Sequence, residues 1–262
     1  MPNTVEVTLP TGLWVEGSRR QDAALRPPTG DDETFLLEEA GALSPARRTT
    51  ALLARCLVRL GPFEPPEPEH VRSLTAGDRE ALLLHLHRLA YGERLDCVLA
   101  CPEPACGELL DLELRVGDLL LAPYEHARPE HEADGVRVRL PTGGDLEAAA
   151  ERAGEGLDSA VHVLEERCAL DGRAGDALDD LLAELDPQAD LRLEMTCPAC
   201  GDAFSAMFDA GDFLARELAR DADALLREIH LLALHYHWPE SELRAMPPRR
   251  RRRYLAVLAE GA

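Results

Sequence analysis

Apolar and polar residues alternate from the start of the chain, and VEVTLPTGLWV (5–15) predicts a strand, a turn at Pro10-Thr11-Gly12 and a second strand. A polar stretch rich in Pro and Gly follows to about residue 32. Ser44-Pro45 opens a helix, with serine as cap and proline in the first turn, and Leu53, Cys56, Leu57 and Leu60 form its apolar stripe. GPFEPPEPEH (61–70) reads as a stiff linker. Thr75-Ala76-Gly77-Asp78 resembles a capping box with aspartate in place of glutamate, and its helix buries Leu82, Leu83, Leu86 and Leu89. Two strands, RLDCVLA (94–100) and ELLDLELRV (108–116), flank CPEPACGE.

An insertion runs from about 120 to 190. It begins with a strand and turn, VRVRLPTG (136–143), echoing VEVTLPTG (5–12), and continues with helices near 145–153, 157–169 and 175–185. Leu157, Val161, Leu164 and Cys168 fall on one face of the second of these helices. DLRLEMT (190–196) is again a strand and enters CPACGD. A helix over about 212–236 places Leu214, Leu218, Leu225, Ile229 and Leu232 on its inward face, and Trp238-Pro239 ends it. The chain closes with a helix containing RRRRRYLAVL. The expected divisions are 1–60, a linker 61–73, a first helix and hairpin 74–120, the mainly helical insertion 121–189, and 190–262.

The two cysteine segments change the picture most. Cys197-Pro-Ala-Cys200-Gly201 is a zinc-knuckle sequence: two intervening residues let both sulfurs face one ion, and the glycine supplies the positive φ of the turn. Cys101-Pro-Glu-Pro-Ala-Cys106-Gly107 is the same pattern with two extra residues. Gly-Asp recurs eleven residues after each second cysteine, as Gly117-Asp118 and Gly211-Asp212. Each half therefore predicts a β-hairpin with a knuckle at its tip. Together they predict an α+β fold: a split four-cysteine zinc ribbon flanked by helices, with Cys101, Cys106, Cys197 and Cys200 around one structural Zn2+. Four thiolates leave no position for water, which argues against a catalytic metal. Cys56, Cys97 and Cys168 read as small core residues.

Seven cysteines in a chain with no visible signal peptide argue for metal binding rather than disulfides, and for a cytoplasmic protein. A net charge of −21 disfavours nucleic acid as a partner. No apolar run is long enough for membrane insertion. Every basic residue is arginine, which suggests a GC-rich bacterial genome. The basic run Arg249, Arg250, Arg251, Arg252 and Arg253, with Tyr254 and Trp238, is the candidate partner-binding surface, against the plainer reading of a solvated helix face. His230, His235 and His237 read as residues suited to a helix C-terminus rather than as a second metal site. No phosphate loop, GxSxG, HExxH or dinucleotide fingerprint occurs, so no enzyme is expected.

Three stretches taken together carry a family resemblance: LTAGDREALLLHLHRLAYGERLDCVLACP (74–102), CPACG (197–201) and REIHLLALHYHWPESELRAMPPRRRRRYLAVL (227–258). They resemble the baseplate-hub and hub-assembly proteins of T-even-like contractile phages and bacterial contractile injection systems. The resemblance covers about residues 70–120 and 188–260, and the first knuckle departs from it by two residues. It implies a non-enzymatic structural or assembly component of a baseplate, whose partners are other baseplate, spike or tube proteins, incorporated into the particle or leaving after assembly. The alternative is a zinc-ribbon adaptor or regulatory protein unrelated to tails.

Overall fold

A computed structural model describes residues 4–133, 135–171 and 176–260, and it is an α+β protein with small antiparallel sheets. The first sheet has the order β1 (Val5–Val15), β2 (Ser18–Leu25), β3 (Leu57–Leu60). Pro10-Thr11-Gly12 does not turn the chain. β1 is one strand whose register against β2 shifts between Thr8 and Leu13. Pro10 has no N–H for the ladder, Gly12 adopts φ +82°, and the freed Thr11 and Gly12 N–H groups each donate to the Asp78 carboxylate at 2.7 Å.

The polar stretch before residue 32 holds β2 and the start of α1 (Gly30–Glu38). Its pattern hides the strand because only Ala23, Ala24 and Leu25 are buried, while Arg19 is spent on the Pro10 and Thr11 carbonyls. α2 (Pro45–Cys56) has Ser44 as its cap, as the sequence predicts. The proline-rich segment then carries α3 (Pro68–Arg72), with Val71 buried. α4 (Ala76–Ala90) is surrounded: Leu82, Leu83, Leu84 and Leu86 are all buried in the main core. β4 (Arg94–Ala100) and β5 (Leu109–Arg115) form the first cysteine hairpin, followed by α5 (Val116–Leu119).

The insertion contains a short hairpin, β6 (His131–Ala133) and β7 (Val136–Val138), and the helices α6 (Gly143–Arg152), α7 (Leu157–Cys168) and α8 (Asp176–Leu185). Leu157 is 77% exposed and Val161 is also exposed, so that stripe of α7 is not buried; Cys168, at its end, is. β8 (Arg192–Thr196) and β9 (Ala203–Met207) form the second cysteine hairpin. α9 (Ala210–Tyr236) sends Leu214 and Leu218 into the main core and Leu225, Ile229 and Leu232 into a second cluster. α10 (Glu240–Arg244) and α11 (Pro248–Glu260) pack on that second cluster through Leu243, Tyr254, Leu255 and Leu258.

The same unit is built twice. Arg26-Pro-Pro-Thr29-Gly30-Asp-Asp32 and Arg139-Leu-Pro-Thr142-Gly143-Gly-Asp145 open α1 and α6 alike. In each, the arginine donates bidentately to the aspartate, at 2.6 and 3.1 Å and at 2.6 and 2.9 Å. The same aspartate accepts the N–H of the capping threonine, and a second arginine reaches it, Arg55 or Arg167. That second arginine precedes Cys56 or Cys168, whose carbonyl accepts the N–H of Arg26 or Arg139. Leu25 then pairs Leu57 as Val138 pairs Ala169. Burial opposes ionisation of both aspartates, yet the guanidinium and N–H donors hold each below its usual carboxylate value. The counterpart of 136–143 is thus 23–30, not the 5–12 that the LPTG echo suggests, because the ion-paired arginine rather than the turn defines the unit.

A further piece recurs. α3 and α10 are both five residues long and end in arginine, and α4 and α11 each begin after three intervening residues. Arg72 pairs with Glu147 on α6, and Arg244 pairs with Asp31 on α1. The Leu74 carbonyl accepts the Gly143 N–H, and the Met246 carbonyl accepts the Gly30 N–H. The fourth residue of each long helix is a buried arginine, Arg79 or Arg251. So α3–α4 clasps the second unit, and α10–α11 clasps the first.

Arg251 therefore does not belong to a docking surface. It is 0% exposed and bonded to Glu33 at 2.5 Å, Glu228 at 2.9 Å and the Met246 carbonyl at 2.7 Å.

The clasp around α4 is tight. A Cβ on Gly77 would stand 1.9 Å from Asp186 Oδ1, and moving that carboxylate away breaks its 2.9 Å bond from the Gly77 N–H. Gly77→Ala is expected to lower the unfolding free energy by about 2–3 kcal/mol in denaturant titration. Gly154→Ala, in open space without a positive φ, is expected to change it by less than about 1 kcal/mol.

Candidate metal centre

Each cysteine pair sits where a two-stranded hairpin runs out. In the first, pairing ends at Ala100↔Leu109, and the Cys101 N–H donates to the Glu108 carbonyl at 2.8 Å. In the second, pairing ends at Thr196↔Ala203, and the Cys197 N–H donates to the Asp202 carbonyl at 2.8 Å. Gly107 and Gly201 take φ +62° and +79°, the left-handed turn that the sequence assigns to the glycine after each second cysteine. The two additional residues of the first knuckle are absorbed in a turn closed by the Cys106 and Gly107 N–H groups on the Glu103 carbonyl. Each hairpin then runs into a helix bearing the repeated Gly-Asp: α5 at Gly117-Asp118 and α9 at Gly211-Asp212.

The four sulfurs of Cys101, Cys106, Cys197 and Cys200 all lie within 4.8 Å of one another. Cys101 Sγ is 3.7 Å from Cys200 Sγ, and Cys106 Sγ is 3.8 Å from Cys197 Sγ. A tetrahedral ion with metal–sulfur bonds of ~2.3 Å separates its ligands by about 3.8 Å, so the donor set fits a four-thiolate metal centre. Exchanging first with first and second with second cysteine maps these two contacts onto each other. The site therefore has a local two-fold character, the same as the repeat around it.

The thiols are held unequally. The Cys200 N–H, and then burial and the Ala199 N–H, act on Cys197, and the result is a value lowered to about 7. Burial chiefly pushes Cys101 up to about 12. A metal ion bound there would replace the protons of all four. Around the sulfurs the packing is thin: Leu110 is buried, with Phe204 half-buried beside it. The hairpin tips have little besides the sulfurs to join them.

The other cysteines are core residues. Cys56 and Cys168 are fully buried, and burial pushes both thiols up; Cys97 is half-buried against the main core. Among the described residues, no histidine joins a cluster able to hold a metal. Comparison with family models, with curated protein sequences and with solved structures finds no match.

The remaining expected site residues scatter. Trp238 stacks on Tyr236 at 4.8 Å and meets Tyr254 edge-on at 5.0 Å, which fixes α11 to the end of α9. Arg252 lies over the Tyr91 ring, and Arg249, Arg250 and Arg253 are exposed. No motif identifies the interior role of Arg251: AMPPRRR (245–251) shares with SLTAGDR (73–79) only its final arginine, and the correspondence of the two is one of structure.

One further group of titratable residues surrounds the N-terminus of α4. Burial raises Asp78 to about 7 and Glu80 to about 8, and it raises Asp186 as well. Their partners are structural: backbone N–H groups of Thr11, Gly12, Gly77 and Ala210, and the Tyr124 hydroxyl. Because these folded-state values lie above the ordinary ones, these three carboxylates bind more protons in the folded chain than in the unfolded chain between about pH 4 and 8. Their contribution to stability is full below that range and lost as pH rises through about 7 to 8. Denaturant titration of the metal-loaded protein is expected to show stability falling from about pH 6 to 8 and levelling off above it, with a shallower fall in Glu80→Gln.

Proposed function

We propose that the chain is a non-enzymatic structural or assembly component of the baseplate of a contractile tail or contractile injection system, organised around a structural zinc. The metal centre carries this reading. Four thiolates at tetrahedral spacing close the coordination shell, and the tips of two repeated hairpins meet at it, which is the design of a split zinc ribbon rather than of a reactive metal. Zinc is the ion best suited to four thiolates in a tetrahedron without redox demand. The resemblance of 74–102, 197–201 and 227–258 to baseplate-hub proteins supplies the setting; these stretches hold α4 and β4, the second knuckle, and the end of α9 with α10 and α11.

The partners in this reading are other baseplate, spike or tube proteins, met in the bacterial cytoplasm and retained in the particle or released from it. Nucleic acid does not suit a chain of net charge −21. Among the described residues, no helix is long and apolar enough to cross a membrane. Affinity purification of the tagged chain from its own cells, with electron microscopy of a deletion strain, tests the reading. It expects co-purifying sheath, tube or spike proteins and defective particles. Normal particles in the deletion strain, with no tail protein recovered, would refute it.

A further inference from the structure

The repeated clasp shows what one face of α11 lacks. Each position of α4 corresponds to the α11 position 172 residues on, so Gly77, Asp78, Ala81 and His85 answer to Arg249, Arg250, Arg253 and Val257. On α4 that face is covered from two sides. The Asp186 carboxylate sits at Gly77, and the extended strand β1 lies across the rest, giving its Thr11 and Gly12 N–H groups to Asp78. Further along, Ala81 and His85 line a cleft whose opposite wall is Val7, Thr8 and Pro10 of the same strand.

On α11 the same face is bare. Arg249, Arg250 and Arg253 are exposed and, among the described residues, have no ion-pair partner; Val257 is 58% exposed. They line a groove of about 880 Å³ that also takes in Arg26, with Leu89 and Tyr254 contributing apolar surface. In a chain with 49 acidic and 28 basic residues, three arginines together without a carboxylate mark a surface that excludes the chain's own acids. The internal copy supplies the shape of the missing cover, an extended strand with a carboxylate beside it.

We infer that this groove binds an extended, acidic segment of a partner protein, its carboxylates on Arg249, Arg250 and Arg253 and an apolar side chain on Val257 and Tyr254. The inference deepens the reading that the chain acts through protein contacts, and it rests on that reading. It also narrows the basic run to three of its five arginines, since Arg251 is interior and Arg252 lies on Tyr91.

The test uses the full-length, zinc-loaded protein and three fluorescent probes: a decapeptide alternating Asp and Val, the same peptide with Ser for Asp, and a ten-nucleotide single-stranded DNA. The acidic peptide is expected to bind, with affinity falling at least roughly tenfold on Arg249→Glu, Arg250→Glu and Arg253→Glu together. A smaller loss is expected with Val257→Ser, and the serine peptide should not bind. Arg250→Ser alone, measured with metal content and circular dichroism, guards against misfolding of the triple variant and should weaken binding severalfold. Absent binding, or binding indifferent to these substitutions, would overturn the inference. So would DNA that binds as tightly with the same sensitivity, or self-association of the chain that the triple variant abolishes. Peptide binding without recovery of tail proteins would count against the baseplate setting alone; recovery of the acidic-segment partner by the triple variant would count against the groove alone.

Discussion

Cys197→Ser is expected to lower the melting temperature by roughly 10–15 °C and to remove its dependence on chelator. An ion held by the four cysteines would join hairpins 91 residues apart, counted from Cys106 to Cys197. Closing a loop of that length withdraws about 4–5 kcal/mol of chain entropy from the unfolded state. In a protein of this size each kcal/mol moves the midpoint by about 2–4 °C. Little else holds the tips together, since Leu110 and Phe204 are the main apolar contacts beneath the sulfurs. Chelation of the unaltered protein should lower its midpoint to a similar degree, whereas Cys97→Ser should leave the chelator response intact. A Cys197→Ser protein that still lost stability on chelation would show that the ion is held elsewhere.

Arg251→Ala is expected to cost about 3–5 kcal/mol of unfolding free energy in denaturant titration, while Arg250→Ala changes it by less than about 0.5 kcal/mol. The contrast is large because adjacent residues of one basic run lie in opposite surroundings. Arg251 and Glu33 are both fully buried, and Glu228 completes the pair. Removing the guanidinium takes from both buried carboxylates the cation they share. The variant Arg251→Met with Glu33→Gln is expected to recover part of the loss, because it removes the stranded charge. Equal, small effects at both positions would place Arg251 at the surface and separate α11 from α1.

The clustering of the four cysteines was legible because its signal is local: two cysteine turns, each with its glycine, read the same in sequence and in space. The capped helices α2 and α4 were legible for the same reason. The strand β2 was not, since half of it is polar and one of its arginines serves the β1 carbonyls rather than solvent. The stripe on α7 misled because helical spacing gives a face but not a neighbour; Leu157 has none. LPTG misdirected the repeat, since in β1 it marks a register shift and in β7–α6 a helix cap. The informative motif was Arg-x-Pro-Thr-Gly-x-Asp, whose meaning depends on an ion pair that spacing alone does not reveal. The buried Arg251 was illegible for a related reason: a run of five arginines reads as solvent-facing unless its counterpart Arg79 is already known to be interior.

The most direct test is metal and thiol stoichiometry on the folded chain. Elemental analysis of protein purified without added metal should give one zinc per chain. Alkylation under native conditions should spare Cys101, Cys106, Cys197 and Cys200 until chelator is added. Folded protein without bound metal, with these four cysteines alkylated freely, would contradict the account.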